Sequence, residues 1–209
     1  SRRLAEAMVP TYEVAAAKQF SLGSSSGEAA EVQIEFPSSP DKNEEPPAGE
    51  HGVEWGSVIH LLLEAAARGR GLGLKELAAA ALAENGLDPD LADQALRTVD
   101  GVIGSGLWER SQKACERLVE APFHYLSDEG VPGKASAGKL LLRGAIDLAF
   151  RDEQGWVLVD FKTDIAPPER LERLVQRYAP QLELYSRIFE RCAGEPVQER
   201  IIYFVNANR

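Results

Sequence analysis

With 209 residues, 44% of them hydrophobic and 27% charged, the chain is long enough for one sizeable core, and charges break its longest apolar runs too often for a membrane span. Its net charge of −10 argues against a protein that binds nucleic acid over its whole surface. The two cysteines, at positions 115 and 192, exclude a cysteine-ligated iron–sulfur cluster and a disulfide framework, and they favour a reducing cytoplasm.

Residues 1–50 hold half of the excess negative charge, with four Lys or Arg against nine Asp or Glu. Residues 1–20 predict an N-terminal helical segment and an extended piece. Because the chain starts with Ser1, we interpret them as the tail of a preceding domain or an N-terminal extension. Residues 21–50 are rich in Ser, Gly, Pro and Glu and predict a flexible linker, since they can bury little apolar area.

Residues 51–209 predict a single mixed α/β domain. Apolar periodicity and turn residues predict the following helices: Gly52 to Arg68, Lys75 to Glu84, Pro89 to Cys115 with a possible break at 104–106, and a final helical stretch from Glu169 to Cys192 that Pro180 divides or kinks. The predicted strands are Arg117 to Tyr125, Lys139 to Phe150, Trp156 to Thr163 and residues 199–205.

The residues "DEQG", 152–155, predict the turn of a β-hairpin. Pairing outward from a four-residue loop sets Arg151 against Trp156 and, further along, Asp147 against Asp160. Side chains alternate between the two faces of a strand. One predicted face is apolar and comprises Ile146, Leu148, Phe150, Val157, Val159 and Phe161. The other face comprises Ala145, Asp147, Ala149, Leu158, Asp160 and Lys162.

Two acids opposite each other on a hairpin repel, so a cation is expected between Asp147 and Asp160. Mg²⁺ commonly binds one or two carboxylates, water and substrate phosphate. Lys162 lies on the same face and can approach a metal-bound water or a phosphate. The simpler alternative is that Lys162 only forms a salt bridge with the acids.

The segments "RGAIDLAF" and "GWVLVDFKTD" resemble the core of the PD-(D/E)XK nuclease superfamily, in the form found at the C-terminal end of AddA/RecB-type (UvrD-like) helicase–nucleases. Three further segments match in the same order: "GSVIH" at 56–60, "VEAPF" at 119–123 and "QLELY" at 181–185. The resemblance covers about residues 52–205. It implies a restriction-endonuclease-like α/β core, in which a central mixed β-sheet with a catalytic hairpin is flanked by α-helices.

The resemblance also implies the roles of the site residues. The metal, Mg²⁺ or Mn²⁺, would be held by His60, Asp147, Asp160 and the backbone carbonyl of Phe161. The catalytic residues would be Asp147, Asp160, Lys162 and Glu120, and the residues that position DNA would be Gln181 and Tyr185. The resemblance therefore implies a metal-dependent deoxyribonuclease, more specifically an exonuclease.

Each position also has a structural interpretation. His60 could be a core histidine, although Gly56 one turn earlier favours close packing of this helix on the sheet. Glu120 could be solvated, and Tyr185 could belong to an apolar stripe with Tyr178 and Leu182. The helix arginines could be a solvated surface or could contact phosphates, and they are Arg170, Arg173, Arg177, Arg187 and Arg191.

The segment "GKASAGKL", 133–140, nearly matches a phosphate-binding loop. Leu140 replaces the hydroxyl that binds magnesium, and a predicted strand follows where such a loop requires a helix. We therefore expect no ATP site in this fragment.

The resemblance implies the nuclease domain of an ATP-dependent helicase–nuclease that processes double-strand breaks for recombinational repair. Its expected partners are DNA, covalently attached superfamily 1 helicase domains and a second helicase–nuclease subunit, with no membrane partner. The alternatives are a catalytically silent nuclease-fold scaffold and a DNA-binding module within a helicase complex. Stand-alone RecB-like exonucleases share this core, but they carry the cysteine-ligated cluster that two cysteines cannot build.

Overall fold

The computed structural model describes residues 12–16, 33–35, 52–69, 73–127 and 139–206. The strands are β1 (Tyr12–Ala16), β2 (Gln33–Glu35), β3 (Glu116–Ser127), β4 (Lys139–Asp152), β5 (Gly155–Lys162) and β6 (Val197–Phe204). The helices are α1 (Gly52–Ala67), α2 (Leu74–Glu84), a 3₁₀ turn (Pro89–Leu91), α3 (Ala92–Ile103), α4 (Gly106–Lys113) and α5 (Pro168–Ala193). Within these residues, no helix is both long and apolar enough to cross a membrane.

All six strands belong to one mixed sheet. β4 pairs with β3 along one edge, and along its other edge it pairs with β1 near its beginning and with β5 near its end. The β3–β4 and β4–β5 pairs are antiparallel, whereas β1–β4, β5–β6 and β2–β6 are parallel. The predicted mixed α/β architecture with a central hairpin is therefore confirmed.

Helices cover both faces of the sheet and bury a separate apolar cluster on each. Helices α1 to α4 pack on the face that carries Val157, Val159 and Phe161 of β5. Helix α5 packs on the opposite face, which carries Trp156 and Leu158. The predicted alternation along β5 is confirmed, and burial on both faces explains why this strand is almost entirely apolar.

The hairpin has the predicted register but a tighter turn. Ala149 pairs with Leu158, as predicted. The pairing continues to Asp152 and Gly155, so the connection has two residues instead of the predicted four. The Asp152 carboxylate accepts a hydrogen bond from the backbone N–H of Gln154 (2.9 Å), and Gly155 adopts a φ of 127° that suits only glycine.

The predicted face of Ile146 is wrong. Ile146 packs in the α5 cluster, whereas Leu148, two residues later, packs against the helices of the other face. The same reversal occurs in β3, where Val119 packs on the side of α1 to α4 and Ala121 packs on the side of α5. Between these two residues, Glu120 has a φ of 47°, in the left-handed region. The side chains before and after this point therefore occupy opposite sides of the sheet.

The predicted break in the third helix is confirmed. Helix α3 ends at Ile103 and is followed by Gly104 as its C-cap. Ser105 is the N-cap of α4, and its hydroxyl accepts a hydrogen bond from the backbone N–H of Trp108 (3.1 Å). The last helical stretch differs from the division considered at Pro180, because α5 is one helix that contains this proline.

Two pieces of the N-terminal fifty residues join the sheet. Strand β1 matches the predicted extended piece, and β2 lies inside the predicted linker, so the linker prediction is wrong for Gln33–Glu35. The predicted N-terminal helical segment lies outside the described residues, as do residues 133–138 of the phosphate-loop-like segment. The proposed domain boundaries stay predictions.

We predict that Gly144→Ala destabilises the domain. A Cβ at this position would lie 2.8 Å from Cζ of the buried Phe123 ring, which cannot move without disturbing the α5 cluster. We expect urea unfolding to show a loss of about 1–3 kcal/mol. The matched control is Gly101→Ala, where an added Cβ meets no atom within 4 Å and helix propensity predicts a gain of about 0.5–1 kcal/mol. Equal effects at the two glycines would contradict this packing.

Candidate metal centre and its lysine

Three metal-binding side chains from different elements converge beside the hairpin. His60 of α1, Glu120 of β3 and Asp147 of β4 each offer one ligand atom, and these atoms lie within 4.8 Å of one another. All three residues are half-buried and line one pocket, together with Phe161 and Trp108. An imidazole and two carboxylates make this a candidate site for a divalent cation.

Helix α1 brings His60 to the end of β5. Its buried side chains, including Ile59 and Leu62, anchor it in the helical cluster. At Gly56 a Cβ would lie 3.2 Å from Thr163 Oγ1, so glycine permits the close approach that the sequence predicts. His60 Nε2 consequently lies 3.1 Å from the carbonyl oxygen of Phe161.

Asp147 occupies the point where β4 leaves the ladder with β5. The last ladder pair is Leu148 with Val159; Asp147 and Asp160 are next in the same register but lie beyond the ladder. The Asp147 carboxylate instead accepts a hydrogen bond from the backbone N–H of Phe161 (2.7 Å). Its other oxygen lies 3.3 Å from His60 Nδ1. The carboxylate is thereby fixed between a strand and a helix.

Glu120 approaches the same imidazole from β3. Its Oε1 lies 3.8 Å from His60 Nδ1. The left-handed backbone of Glu120 is unfavourable for a residue with a side chain, by roughly 1–3 kcal/mol. Such strain is common at functional sites, and here it accompanies the turn that places this carboxylate beside His60 and Asp147.

Asp160 and Lys162 form a buried ion pair behind this cluster. Lys162 Nζ lies 2.6 Å from Asp160 Oδ2, and the two side chains are only 10% and 4% exposed. Lys162 also donates a hydrogen bond to Gln181 Oε1 of α5 (3.3 Å). The Asp160 carboxylate is thus held by a cation in the interior, where a buried charge requires such a partner.

The charges at the site depend on one another. Burial lowers the pKa of His60, but Asp147 and Glu120 outweigh it and raise the pKa to about 10. Burial favours the neutral form of Asp147 as well, yet His60 and Lys162 hold its pKa below the usual range. Burial and the neighbouring Asp147 raise the pKa of Asp160, despite the opposing effect of Lys162. The two hairpin acids are thus shifted in opposite directions, as expected when neighbouring carboxyl groups share a site.

The predicted pair on the last helix is assembled by hydrogen bonds. Gln181 Nε2 donates to the hydroxyl of Tyr185 (2.8 Å), so the two side chains lie on one helical face as predicted. Burial, reinforced by Asp160 and Asp147, raises the pKa of Tyr185 to about 12. Tyr185 also packs edge-on against Phe123, so it has both a polar and a packing role.

The donor set fits a hard divalent cation. Mg²⁺ and Mn²⁺ prefer carboxylate and carbonyl oxygens, and Mn²⁺ also accepts imidazole. Adjacent ligands of an octahedral Mg²⁺ are about 3 Å apart, given metal–oxygen distances of roughly 2.1 Å. The separation of His60 Nδ1 from the Asp147 carboxylate oxygen, 3.3 Å, is close to that value.

The structure gathers most of the predicted site residues, with one change of grouping. His60, Asp147 and the Phe161 carbonyl lie together as predicted, and Glu120 joins them. Asp160 is instead held against Lys162.

The sequence identified Tyr178 only as an apolar residue, although its ring contacts Lys162. The available signal was its position three residues before Gln181, on the same side of the helix.

The chain belongs to the PD-(D/E)XK nuclease superfamily, whose profile matches residues 39–208. Its curated relatives include proteins named as the A subunit of an ATP-dependent helicase/nuclease. The relative from Thermoanaerobacter sp. is 34% identical over 119 residues, which cover 54% of this chain and 10% of the relative. The one from Carboxydothermus hydrogenoformans is 33% identical over 141 residues, or 66% and 12% of the two chains. The matched segments thus span about a tenth of the length of these relatives.

We predict that Mn²⁺ stabilises the domain through this cluster. A ligand at a hundredfold excess over its Kd stabilises by about 2.7 kcal/mol, which corresponds to a rise in melting temperature of roughly 5–10 °C for a chain of this size. Asp147→Asn should abolish most of the rise, because it removes a charged oxygen ligand. The measurement is thermal unfolding with increasing Mn²⁺.

The matched control is Asp93→Asn, in an exposed ion pair with Lys75 that is remote from the cluster in sequence. This variant should keep the full Mn²⁺ response, since exposed ion pairs contribute little to stability. A response lost equally in both variants, or kept equally in both, would contradict a metal site at Asp147.

Proposed function

We propose that this chain is a divalent-metal-dependent deoxyribonuclease that hydrolyses phosphodiester bonds. The main observation that supports this proposal is the buried Asp160–Lys162 pair beside the cluster of His60, Glu120 and Asp147. Membership of the nuclease superfamily supports the reaction class. A catalytically silent scaffold or a DNA-binding module would not require this costly burial of opposite charges beside metal-binding side chains.

His60, Asp147, Asp160 and the Phe161 carbonyl would hold Mg²⁺ or Mn²⁺, with Glu120 close to His60. When bound, such an ion polarises a phosphate and lowers the pKa of a coordinated water. The hydrogen bond from Phe161 N–H holds the Asp147 carboxylate in a fixed direction. His60 likewise stays close to the Phe161 carbonyl because α1 packs tightly on the sheet.

Lys162 supplies the second positive charge of the reaction. Its ammonium is fixed by Asp160 and Gln181 and is largely removed from bulk water, so its field at a nearby phosphate is weakly screened. It orients the attacking water, and its positive charge stabilises both the hydroxide that forms when this water loses a proton and the extra negative charge of the transition state. Gln181 and Tyr185 position the lysine side of the site and, in this proposal, the DNA strand.

The biological setting proposed here follows from the relatives. Their name, the A subunit of an ATP-dependent helicase/nuclease, supports attached helicase domains and DNA as substrate. We propose in addition that these helicase domains belong to superfamily 1 and that a second helicase–nuclease subunit joins them. We further propose that the chain acts as an exonuclease in the processing of double-strand breaks for recombinational repair. The proposed location is the cytoplasm. An acidic nuclease domain, with its net charge of −10, suits a substrate delivered by an attached helicase.

We predict that the isolated chain degrades end-labelled linear single-stranded DNA when Mn²⁺ is present and loses this activity on addition of a chelator. Lys162→Met should lower the rate by on the order of 100-fold or more, because it removes the cation while keeping the length of the side chain. Asp160→Asn should have a comparable effect. Rates are measured from the loss of intact labelled strand on denaturing gels.

The matched control is Lys113→Met, which makes the same substitution at a lysine that is 73% exposed and pairs only with Glu109 of its own helix among the described ion pairs. This variant should cleave at the rate of the unsubstituted chain. If Lys162→Met and Lys113→Met cleave equally well, the degradation does not come from this site and the proposed function is wrong.

A further inference from the structure

The Lys162 ammonium has an aromatic neighbour in addition to its polar contacts. Besides Asp160 and Gln181, the ring of Tyr178 lies against it, with Nζ 4.6 Å from the ring centroid. This distance is within the range of a cation–π interaction, which is strongest when the cation is withdrawn from water. Lys162 is buried, so the condition is met.

Tyr178 is itself held in place from the other end. Its hydroxyl donates a hydrogen bond to Asp164 Oδ2 (2.7 Å), and Asp164 follows Lys162 by two residues. Its ring also packs in the α5 cluster, at 6.4 Å from the ring of Phe204. The tyrosine is consequently fixed at its hydroxyl and along its ring, and the segment after β5 is tied to α5 next to the lysine.

Packing alone does not explain this arrangement. A leucine or phenylalanine would fill the apolar cluster equally well, whereas the hydroxyl reaches a carboxylate and the ring face meets a cation. The guanidinium of Arg177 also lies over the same ring, at 5.6 Å, so the electron-rich faces of Tyr178 are directed at positive charge.

We propose that Tyr178, anchored by Asp164, is a positioning residue that restricts the Lys162 ammonium to the direction of the scissile phosphate. Asp160 and Gln181 contact Nζ through polar atoms, and the ring limits its movement toward α5. This role rests on the proposed nuclease function, because it concerns how the lysine reaches the reacting phosphate.

The test compares Tyr178→Phe, Asp164→Ala, their double variant and Tyr178→Leu by steady-state cleavage of labelled single-stranded DNA with Mn²⁺. Tyr178→Leu should lower kcat about tenfold with KM unchanged, since the ring that restrains the lysine is lost. Tyr178→Phe and Asp164→Ala should each lower kcat by a smaller factor of about 2–5, and the double variant should lose no more than either single variant, because both break the same hydrogen bond.

Two controls separate positioning from general damage. Tyr125→Leu makes the same substitution at another tyrosine that packs against the α5 cluster, where the guanidinium of Arg191 lies over its ring, and kcat should be unchanged. The rise in melting temperature with Mn²⁺ should be the same in every variant, since none removes a metal-binding side chain. If Tyr178→Leu fails to fold, the two milder variants and their double variant decide the question.

The outcomes distinguish the two proposals. An unsubstituted chain that does not cleave DNA with Mn²⁺ overturns the proposed function, and the positioning role with it. A chain that cleaves but keeps its kcat in Tyr178→Phe and Asp164→Ala overturns the positioning role alone, as do additive losses in the double variant. A higher KM at constant kcat would also overturn it, because that pattern means that Tyr178 contributes to DNA binding instead.

Discussion

The backbone of Phe161 is the connection on which the rest of the site depends. Its N–H donates to the Asp147 carboxylate, and its carbonyl lies within hydrogen-bond distance of His60. Its side chain is buried in the cluster beneath the helices. Phe161 of β5 therefore connects to both β4 and α1. Its backbone N–H and C=O can contact these side chains because the β4–β5 ladder has already ended. A shift of β5 by one residue would remove the contacts of Phe161 with Asp147, with His60 and with the apolar cluster at once.

Burial makes the ionisable groups of the site depend strongly on their neighbours. Acidic side chains exceed basic ones in the chain as a whole, yet each acid at the centre lies beside an imidazole or an ammonium group. His60 faces Asp147 and Glu120, while Lys162 faces Asp160. Helix α1 supplies the imidazole of His60, and the end of β5 supplies the ammonium of Lys162. The cluster of His60, Glu120 and Asp147 therefore lies toward α1, the pair of Asp160 and Lys162 lies toward α5, and the hairpin lies between them.

The sequence was most informative where local rules decide the structure. Alternation along β5 and the turn residues after Arg151 were sufficient for the hairpin register. The order of the motifs pointed to His60, Glu120 and Asp147, which the structure places side by side. The reversal at Asp147 could not be predicted from β4, because it accompanies the left-handed backbone of Glu120 on another strand. The salt bridge between Asp160 and Lys162 was an alternative that the sequence left open, because alternation places both side chains on one face of β5. The ring of Tyr178 was missed, since an amphipathic stripe does not reveal which of its members meets a charge.

The burial of Lys162 also separates it chemically from other lysines of the domain. Lys75 and Lys113 are 65% and 73% exposed, whereas the Lys162 side chain is 10% exposed and its ammonium is engaged by a carboxylate, an amide and an aromatic ring. An acylating reagent needs a free, unprotonated amine at an accessible surface. It would therefore label Lys75 and Lys113 well before Lys162, and reaction at Lys162 would report local opening between β5 and α5.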